Sequence, residues 1–503
     1  MIIPQILDVN SRKFGDQDCL RAEGKSWTYL QVKTESEKVA ALLQETGVVK
    51  GDKVAIMSQN TPAFVYSFYG ILKAGGVVVP VNHKLAPPEV DFIINHSESK
   101  VFLFDGSLSE VAAKISAPIG KFSIDSPCDG FEQLEKLLPS THPIEPVEIS
   151  DRDIAEILYT SGTTGKPKGC VHTHHSVVMA GIAGALTMKL DESDRMLMAM
   201  PIWHSSPLNN WFMGIQYVGG ATVLIREYHP LHFLQAIEQE KCTVYFGAPI
   251  SYILPIQMVP RFNDFGLTSM RCWIYGGGPM AADTARLVMR SYRSENFYQV
   301  YGMTEAGPTG TTLFPRDQVS KAGSIGNRAL PGADLKVVRV DGEQARPGEV
   351  GEIWLRSDSM MVKYYKNPEA TKAAFDGPWY KTGDLARIDG DGYLYIVDRL
   401  KDMIVTGGEN VYSKEVEDAI AGLPEVMEVA VIGKPHPDWG ETVVSFIVPK
   451  KGQTVEPENL KKALSEKLAR YKIPREFHIV DELPHTASGK VMKFQLRDFG
   501  SWK

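Results

Sequence analysis

Cysteine is scarce and scattered in this chain: five residues, Cys19, Cys128, Cys170, Cys242 and Cys272, none of them in a Cys-x-x-Cys pair. That pattern argues against a disulfide framework and against a zinc knuckle, and it suits a reducing cytoplasm. No apolar run reaches membrane-spanning length. The N-terminus, Met1-Ile2-Ile3-Pro4-Gln5, lacks a basic segment followed by an apolar stretch and a small-residue cleavage site, so neither a secretory signal nor an integral membrane anchor is expected. Basic charge is not in excess either. With 54 Lys and Arg against 61 Asp and Glu, the formal net charge is -7, which supplies no field for drawing in nucleic acid or anionic membranes. Repeats, heptads and low-complexity tracts are also missing. What remains is a chain of 503 residues, 43% hydrophobic and 23% charged, an ordinary globular composition too long for a single core.

From about residue 50, short β-branched runs alternate with amphipathic stretches. Val54-Ala55-Ile56-Met57 is followed by a helical pattern over 61 to 73 and then by Val77-Val78-Val79-Pro80. The alternation predicts further strands at 154 to 159, 196 to 200, 221 to 225, 243 to 246, 272 to 275 and 297 to 300, with helices between them. The fold class is therefore α/β, with a large open N-terminal body. Past about 330 the texture changes to turn-rich β segments, Leu335 to Val338 and Glu352 to Leu355, which predict a small β subdomain. After Asp398-Arg399-Leu400-Lys401-Asp402 an α+β pattern begins: a helix from about Ser413, strands near 427 to 432 and 443 to 448, and a charged helix over 456 to 470. The expected domains are 1–400 and 401–503.

The densest chemical signal is Tyr159-Thr160-Ser161-Gly162-Thr163-Thr164-Gly165-Lys166-Pro167-Lys168-Gly169, after the apolar run Ile154 to Leu158 and before a helical stretch from about His175. Glycines let backbone N–H groups approach oxygen closely, while hydroxyls and lysines add donors and charge, so the segment suits a polyphosphate. Its glycine spacing, and Pro167 after Lys166, depart from the G-x-x-x-x-G-K-[ST] pattern, which disfavours an ordinary P-loop NTPase. At the end of a predicted strand stands Gln299-Val300-Tyr301-Gly302-Met303-Thr304-Glu305, where open α/β sheets place ligands. A carboxylate such as Glu305 beside a polyphosphate is costly unless a cation lies between them, so it argues for a hard metal; a helix-capping role is the plainer alternative. Gly276-Gly277-Gly278-Pro279 offers a side-chain-free surface for a flat base or an acyl chain, although such a run also makes simple turns.

Together these segments, spread over nearly the whole chain, resemble the signature of the adenylate-forming superfamily, which includes acyl-CoA and aryl-CoA synthetases, luciferases and peptide-synthetase adenylation domains. The chain looks most like a stand-alone acyl-CoA or aryl-CoA ligase. The resemblance implies a small mobile C-terminal domain and an ATP-dependent acid:CoA ligation through acyl-AMP, with ATP, Mg2+ and coenzyme A as the cofactors. Nucleotide contacts would come from Thr160, Ser161, Gly162, Thr163, Thr164, Gly165, Lys168, Gly276, Gly277, Gly278, Tyr301, Gly302, Thr304, Asp384, Arg399 and Lys490. Thr160, Thr164 and Glu305 would hold the metal. Asp384, in Tyr380-Lys381-Thr382-Gly383-Asp384, would accept from both ribose hydroxyls. Arg399 would supply a second ribose or phosphate contact, and Asp402 would be the hinge. Lys490, in Ser488-Gly489-Lys490, would bridge the acid and the α-phosphate, with Thr304, Glu305 and His204 beside it in the chemistry.

The same resemblance assigns Met200 to Leu208 to the acyl pocket. His204 would face the carboxylate, a structural histidine being the plainer alternative. Trp203, Asn209, Trp211, Phe212, Gly247, Gly278, Gly302 and Met303 would complete the wall, with Met213 and Phe246 as further candidates. Most are apolar, which favours an aliphatic (fatty) or aryl acid over a polar one. No aspartate stands at 203 to 206 to pair a substrate ammonium, so an amino-acid substrate is disfavoured. Coenzyme A would run past Gly407, Gly408 and Glu409, with Lys434, Trp439, Arg470, Lys472 and Arg475 nearby; an interior Trp439 is the alternative. A non-catalytic nucleotide-binding scaffold and an adenylating enzyme with a non-CoA acceptor stay open beside the ligase, as does a homodimer.

Overall fold

The computed structural model describes residues 1–115, 120–137, 144–160, 167–406, 409–485 and 491–497. Within them the chain forms two compact units. The first comprises Met1–Thr160, Pro167–Leu335 and Leu355–Tyr380, and the second comprises Lys336–Trp354 and the described residues from Lys381 onward.

Two open sheets organise the first unit. One runs in the order Lys363–Tyr364, Lys168–Thr173, Ile154–Thr160, Val77–Pro80, Lys53–Met57, Ser99–Asp105, Gly120–Ile124, Glu132–Gln133. Its strands from Ile154–Thr160 to Glu132–Gln133 pair in parallel, and Val77–Pro80 is buried along its whole length. Parallel strands covered on both faces are expected to read as unbroken apolar runs, as this one does. The connecting helix Pro62–Lys73 starts where the sequence predicts it: Thr61 caps it by accepting from the Phe64 amide at 3.1 Å, and Pro62 needs no donor at the first turn. The other sheet centres on the parallel strands Ala221–Leu224, Arg195–Met198, Val244–Gly247, Cys272–Gly276 and Phe297–Tyr301, all five at the predicted positions. One large apolar cluster joins residues of both sheets, such as Val54, Val78, Met196 and Ile274, with helical side chains such as Phe64, Phe68 and Trp211. Burying each such side chain contributes about 1.5–3 kcal/mol.

One strand was not expected. Lys168–Thr173 is a strand, antiparallel to Ile154–Thr160 with Thr160 opposite Lys168, and it takes in the last two residues of the phosphate motif. The helix expected from about His175 follows it as His174–Met188. Thr173 then caps the helix through the Ser176 amide.

The second unit holds most of a small sheet built from Ala333–Val338, Val350–Ser357, Trp379–Ile388 and Leu394–Arg399, the β texture expected past 330. A further sheet contains Ile404–Thr406, Glu409–Val411, Val426–His436, Gly440–Pro449 and Glu476–Ile479, with the helices Ser413–Ala421 and Pro457–Ser465. The charged helix ends at Ser465, short of the predicted 470, and Arg470–Lys472 form a separate 3-10 turn. The expected boundary at 400/401 falls inside this unit. One link crosses it: Asp398 accepts from the Ser413 hydroxyl at 3.0 Å.

Candidate active site

In the first unit, three segments singled out by the sequence lie against one another. Thr304 sits in a 3-10 turn just past Phe297–Tyr301, and its hydroxyl is 2.9 Å from that of Ser205. Ser205 precedes a π-helix, Ser206–Phe212, that carries much of the expected acyl wall. Such wide turns are uncommon and recur at functional sites. Asn209 on this helix donates to Glu156 Oε1 at 2.5 Å, and Glu156 belongs to the strand leading into the phosphate motif. The expected α-phosphate, acyl and phosphate-loop segments are therefore coupled through buried polar groups.

Glu305 is held from below. The Tyr364 hydroxyl donates to its Oε1 at 3.0 Å and lies 3.3 Å from the Tyr380 hydroxyl. The Lys168 ammonium stands 5.0 Å from the centre of the Tyr364 ring. The neighbouring Cys170 thiol is pushed well up, first by burial and then by the Glu305 charge, so it is no nucleophile. Among the described residues no group of three or more His, Cys, Asp or Glu converges to cage a metal. The single carboxylate of Glu305 is instead a donor suited to an oxygen-preferring cation that arrives with substrate phosphates.

Gly302 stands where the backbone is crowded. A Cβ there would lie 2.1 Å from the Pro308 carbonyl oxygen. Gly277 has φ of +80°, whereas a Cβ on Gly278 would meet nothing within 4 Å, leaving an open surface. Tyr301 ends its strand, and Met303 packs against the cluster of Cys170, Met361, Tyr364 and Tyr380.

The expected acyl residues are in differing situations. His204 is exposed, with its ring 5.8 Å from that of Trp203. Trp211 is buried, stacks on Phe246 at 5.3 Å and donates to Ser206 Oγ at 3.1 Å. Phe212 packs in the core against Phe68 and Tyr69. At Gly247 a side chain would collide with Ser251 and the Tyr245 hydroxyl.

In the second unit, Asp384 is 4% exposed, so it is not a solvated surface charge; Arg399 Nε approaches its Oδ1 at 2.6 Å. Asp402 accepts from Arg497 at 2.8 Å. The cations expected along the coenzyme are mostly engaged: Lys434 with Glu476 at 2.9 Å and Lys472 with Glu415 at 2.7 Å. Trp439 is 45% exposed and not interior, and the Arg475 guanidinium lies over its ring at 4.5 Å. This stack adjoins Gly440, the partner of Thr406 in the sheet. Arg470 and Glu409 are exposed. Ser161, Gly162, Thr163, Thr164, Gly165, Gly407, Gly408 and Lys490 lie outside the described residues.

Sequence reasoning did not single out Tyr364, Arg497, Glu156 or His172. Glu156 and His172 are fully buried and directly opposite each other in the antiparallel pair, so their side chains share a face. Among the described residues, Glu156 Oε2, Asn209 Oδ1 and both ring nitrogens of His172 have no partner at hydrogen-bond geometry. Burial raises the Glu156 carboxyl to about 7 against the opposing effect of the Asn209 bond. Burial also lowers His172 to about 4, although the Thr304 and Ser359 carbonyls favour its protonation. A lone carboxylate inside the apolar run Ile154-Ala155-Glu156-Ile157-Leu158 was the available signal, because a buried charge there must be neutralised or paired.

Comparison with known proteins matches residues 7–365 to the AMP-binding enzyme family and residues 415–490 to the AMP-binding enzyme C-terminal domain. A long-chain-fatty-acid–CoA ligase of Mycobacterium tuberculosis is 37% identical over 475 residues, covering 94% of this chain and 92% of its own. A feruloyl-CoA synthase of Amycolatopsis sp. is 35% identical over 480 residues, covering 95% of each. Among solved structures, the o-succinylbenzoate CoA synthetase of Bacillus subtilis, in complex with its acyl-adenylate intermediate, superposes with a TM-score of 0.87 at 30% identity over 98% of both chains.

Proposed function

Because the chain belongs to the AMP-binding enzyme family and is an ATP-dependent, AMP-forming acid:CoA ligase that works through an acyl-AMP intermediate, we propose that its acid is aliphatic (fatty) or aryl and that the residues assembled around Thr304 carry the first half-reaction. The observation that supports this most is the 2.9 Å contact between Ser205 and Thr304, which couples the acid-side helix to the expected α-phosphate segment within one unit.

The chemistry follows from what a carboxylate lacks. It repels an incoming thiolate, and its leaving group would be oxide, so it must be activated. A carboxylate oxygen attacks the α-phosphorus of ATP, the bond to the bridging oxygen breaks, and pyrophosphate leaves. The thiolate of coenzyme A then attacks the acyl carbon and AMP departs. The protein's task is to bring anions together and stabilise charge gathering at phosphorus. In this reading Thr304 donates to an α-phosphate oxygen, and the hydroxyls and amides of 160–165 hold the phosphate chain. Asp384, braced by Arg399, accepts from the ribose. Lys490 bridges the acid and the α-phosphate, a charge-assisted contact worth about 1.5–3 kcal/mol. Magnesium bound with the nucleotide would neutralise phosphate charge, with Glu305, Thr160 and Thr164 as its protein oxygens. Tyr364 orients the Glu305 carboxylate. In the second half-reaction the tract at Gly407 and Gly408 gives the pantetheine arm passage, Asp402 serves as the hinge, and Trp439 with Arg475 offers a flat cationic surface for the coenzyme.

The acid is chosen by the wall from Trp203 to Phe212. Its aromatic side chains, and the engagement of Asn209 with Glu156, favour an apolar substrate over a charged one. Pyrophosphate release measured with acetate, medium and long fatty acids, benzoates and cinnamates, with and without CoA, tests the proposal. Release with fatty or aryl acids, accompanied by CoA-dependent AMP production, is expected. Turnover confined to acetate or to amino acids would refute the substrate class.

A further inference from the structure

Trp203 is held by a histidine that no motif singles out. Its indole Nε1 lies 3.0 Å from His83 Nδ1, and the two rings meet edge-on at 77° with centroids 6.1 Å apart. An indole nitrogen can only donate, so His83 Nδ1 must present a lone pair and the ring proton must sit on Nε2. That nitrogen faces Glu227 Oε1 at 3.4 Å. The three residues form a directional chain from Glu227 through His83 to Trp203, all within the first unit. His83 follows the strand Val77–Pro80 of one sheet and Glu227 follows Ala221–Leu224 of the other, so the imidazole is fixed from both sides.

The surroundings preserve this tautomer. The His83 side chain is 7% exposed. Lys84 lies 3.6 Å from the same Glu227 carboxylate, and Asp105, paired with Arg226 at 2.9 Å, is the other acid acting on His83. Burial, assisted by Lys84, outweighs the two acids and holds His83 below the ordinary histidine range. A protonated Nδ1 would confront the indole N–H, donor to donor.

We propose that His83 is a positioning residue for acid selection: by accepting from the Trp203 indole it fixes the orientation of that ring, and so sets which acids the enzyme accepts. This rests on the reading that Trp203 walls the acid pocket. Because the Trp203 ring also neighbours His204 at 5.8 Å, a freed indole would disturb the approach of the carboxylate as well as the fit of its chain.

Four proteins test it: His83→Asn, which keeps an acceptor near Nδ1; His83→Phe, which keeps a ring but no acceptor; Trp203→Phe; and the double variant His83→Phe/Trp203→Phe. KM and kcat are measured for a series of straight-chain and aryl acids. His83→Phe and Trp203→Phe are expected to shift KM for the same acids, by about threefold to tenfold each, the worth of one hydrogen bond. The double variant should shift no further than either single one, and His83→Asn should retain the parent's preferences. If His83→Phe does not fold, His83→Gln replaces it, since its amide reaches toward Glu227 but leaves the indole without an acceptor. Multiplying effects in the double variant, or His83→Asn behaving like His83→Phe, would overturn the positioning role and leave the pocket reading standing. Trp203→Phe with unchanged KM for every acid would overturn the pocket reading itself, and the inference with it.

Discussion

Replacing Glu156 by glutamine should stabilise the protein above pH 7 and leave it nearly unchanged near pH 4. The carboxyl is fully buried, and burial raises it from 4.5 to about 7. A group whose folded value is raised contributes its full stability below its unfolded value and loses it as pH rises through the folded one. Here the loss grows between pH 4.5 and about 7 and is level beyond that. Holding the carboxyl at about 7 corresponds to a penalty of about 3 kcal/mol at alkaline pH, at roughly 1.4 kcal/mol for each tenfold change in proton affinity. Glutamine keeps the carbonyl that accepts from Asn209, never ionises, and supplies donors where Asn209 Oδ1 and His172 have no partners among the described residues. His172 and His174, both lowered to about 4 by burial, stay neutral in the folded protein between pH 5 and 8, so the pH dependence of the difference reports Glu156. Urea unfolding at pH 5, 6, 7 and 8 provides the assay, with the variant's midpoint advantage growing as pH rises. A difference independent of pH, or a variant less stable at pH 8, would refute the reasoning.

Tyr364→Phe removes the hydroxyl that donates to Glu305. It should raise the magnesium concentration needed for half-maximal activity by about 10- to 100-fold, as loss of a ligand-orienting partner does, and an unchanged magnesium titration would exclude that role. Gly302→Ala places a methyl 2.1 Å from the Pro308 carbonyl oxygen. Adenylate formation should fall by at least about tenfold, because catalysis depends on near-ångström placement; parent-like pyrophosphate release would show that the backbone yields. Lys490→Ala should abolish adenylate formation yet spare thioester formation from supplied acyl-AMP, and Gly408→Leu should do the reverse. Equal loss of both half-reactions in both folded variants would end the two-step division of labour.

Much of the α/β body was legible because its signals are local. The apolar run Val77–Pro80, the Thr61-Pro62 helix start and the strand ends before Gly276 and Gly302 each depend on residues a few positions apart. The strand Lys168–Thr173 was missed because its pairing with Ile154–Thr160 is not visible in the stretch itself, whose sequence also suits the approach to a helix. Arg497 escaped notice because its partner, Asp402, stands 95 residues away.

By itself the sequence determined the order of strands and helices, the chemistry available to each motif and the adenylating signature. The tertiary structure alone decided that Glu156 faces His172 and binds Asn209, 53 residues distant, and that Trp203 donates to His83 across 120 residues. The reason is physical. A backbone preference is set by near neighbours, whereas a proton's affinity or a ring's tautomer is set by burial and by whichever distant group the fold brings within 3 Å.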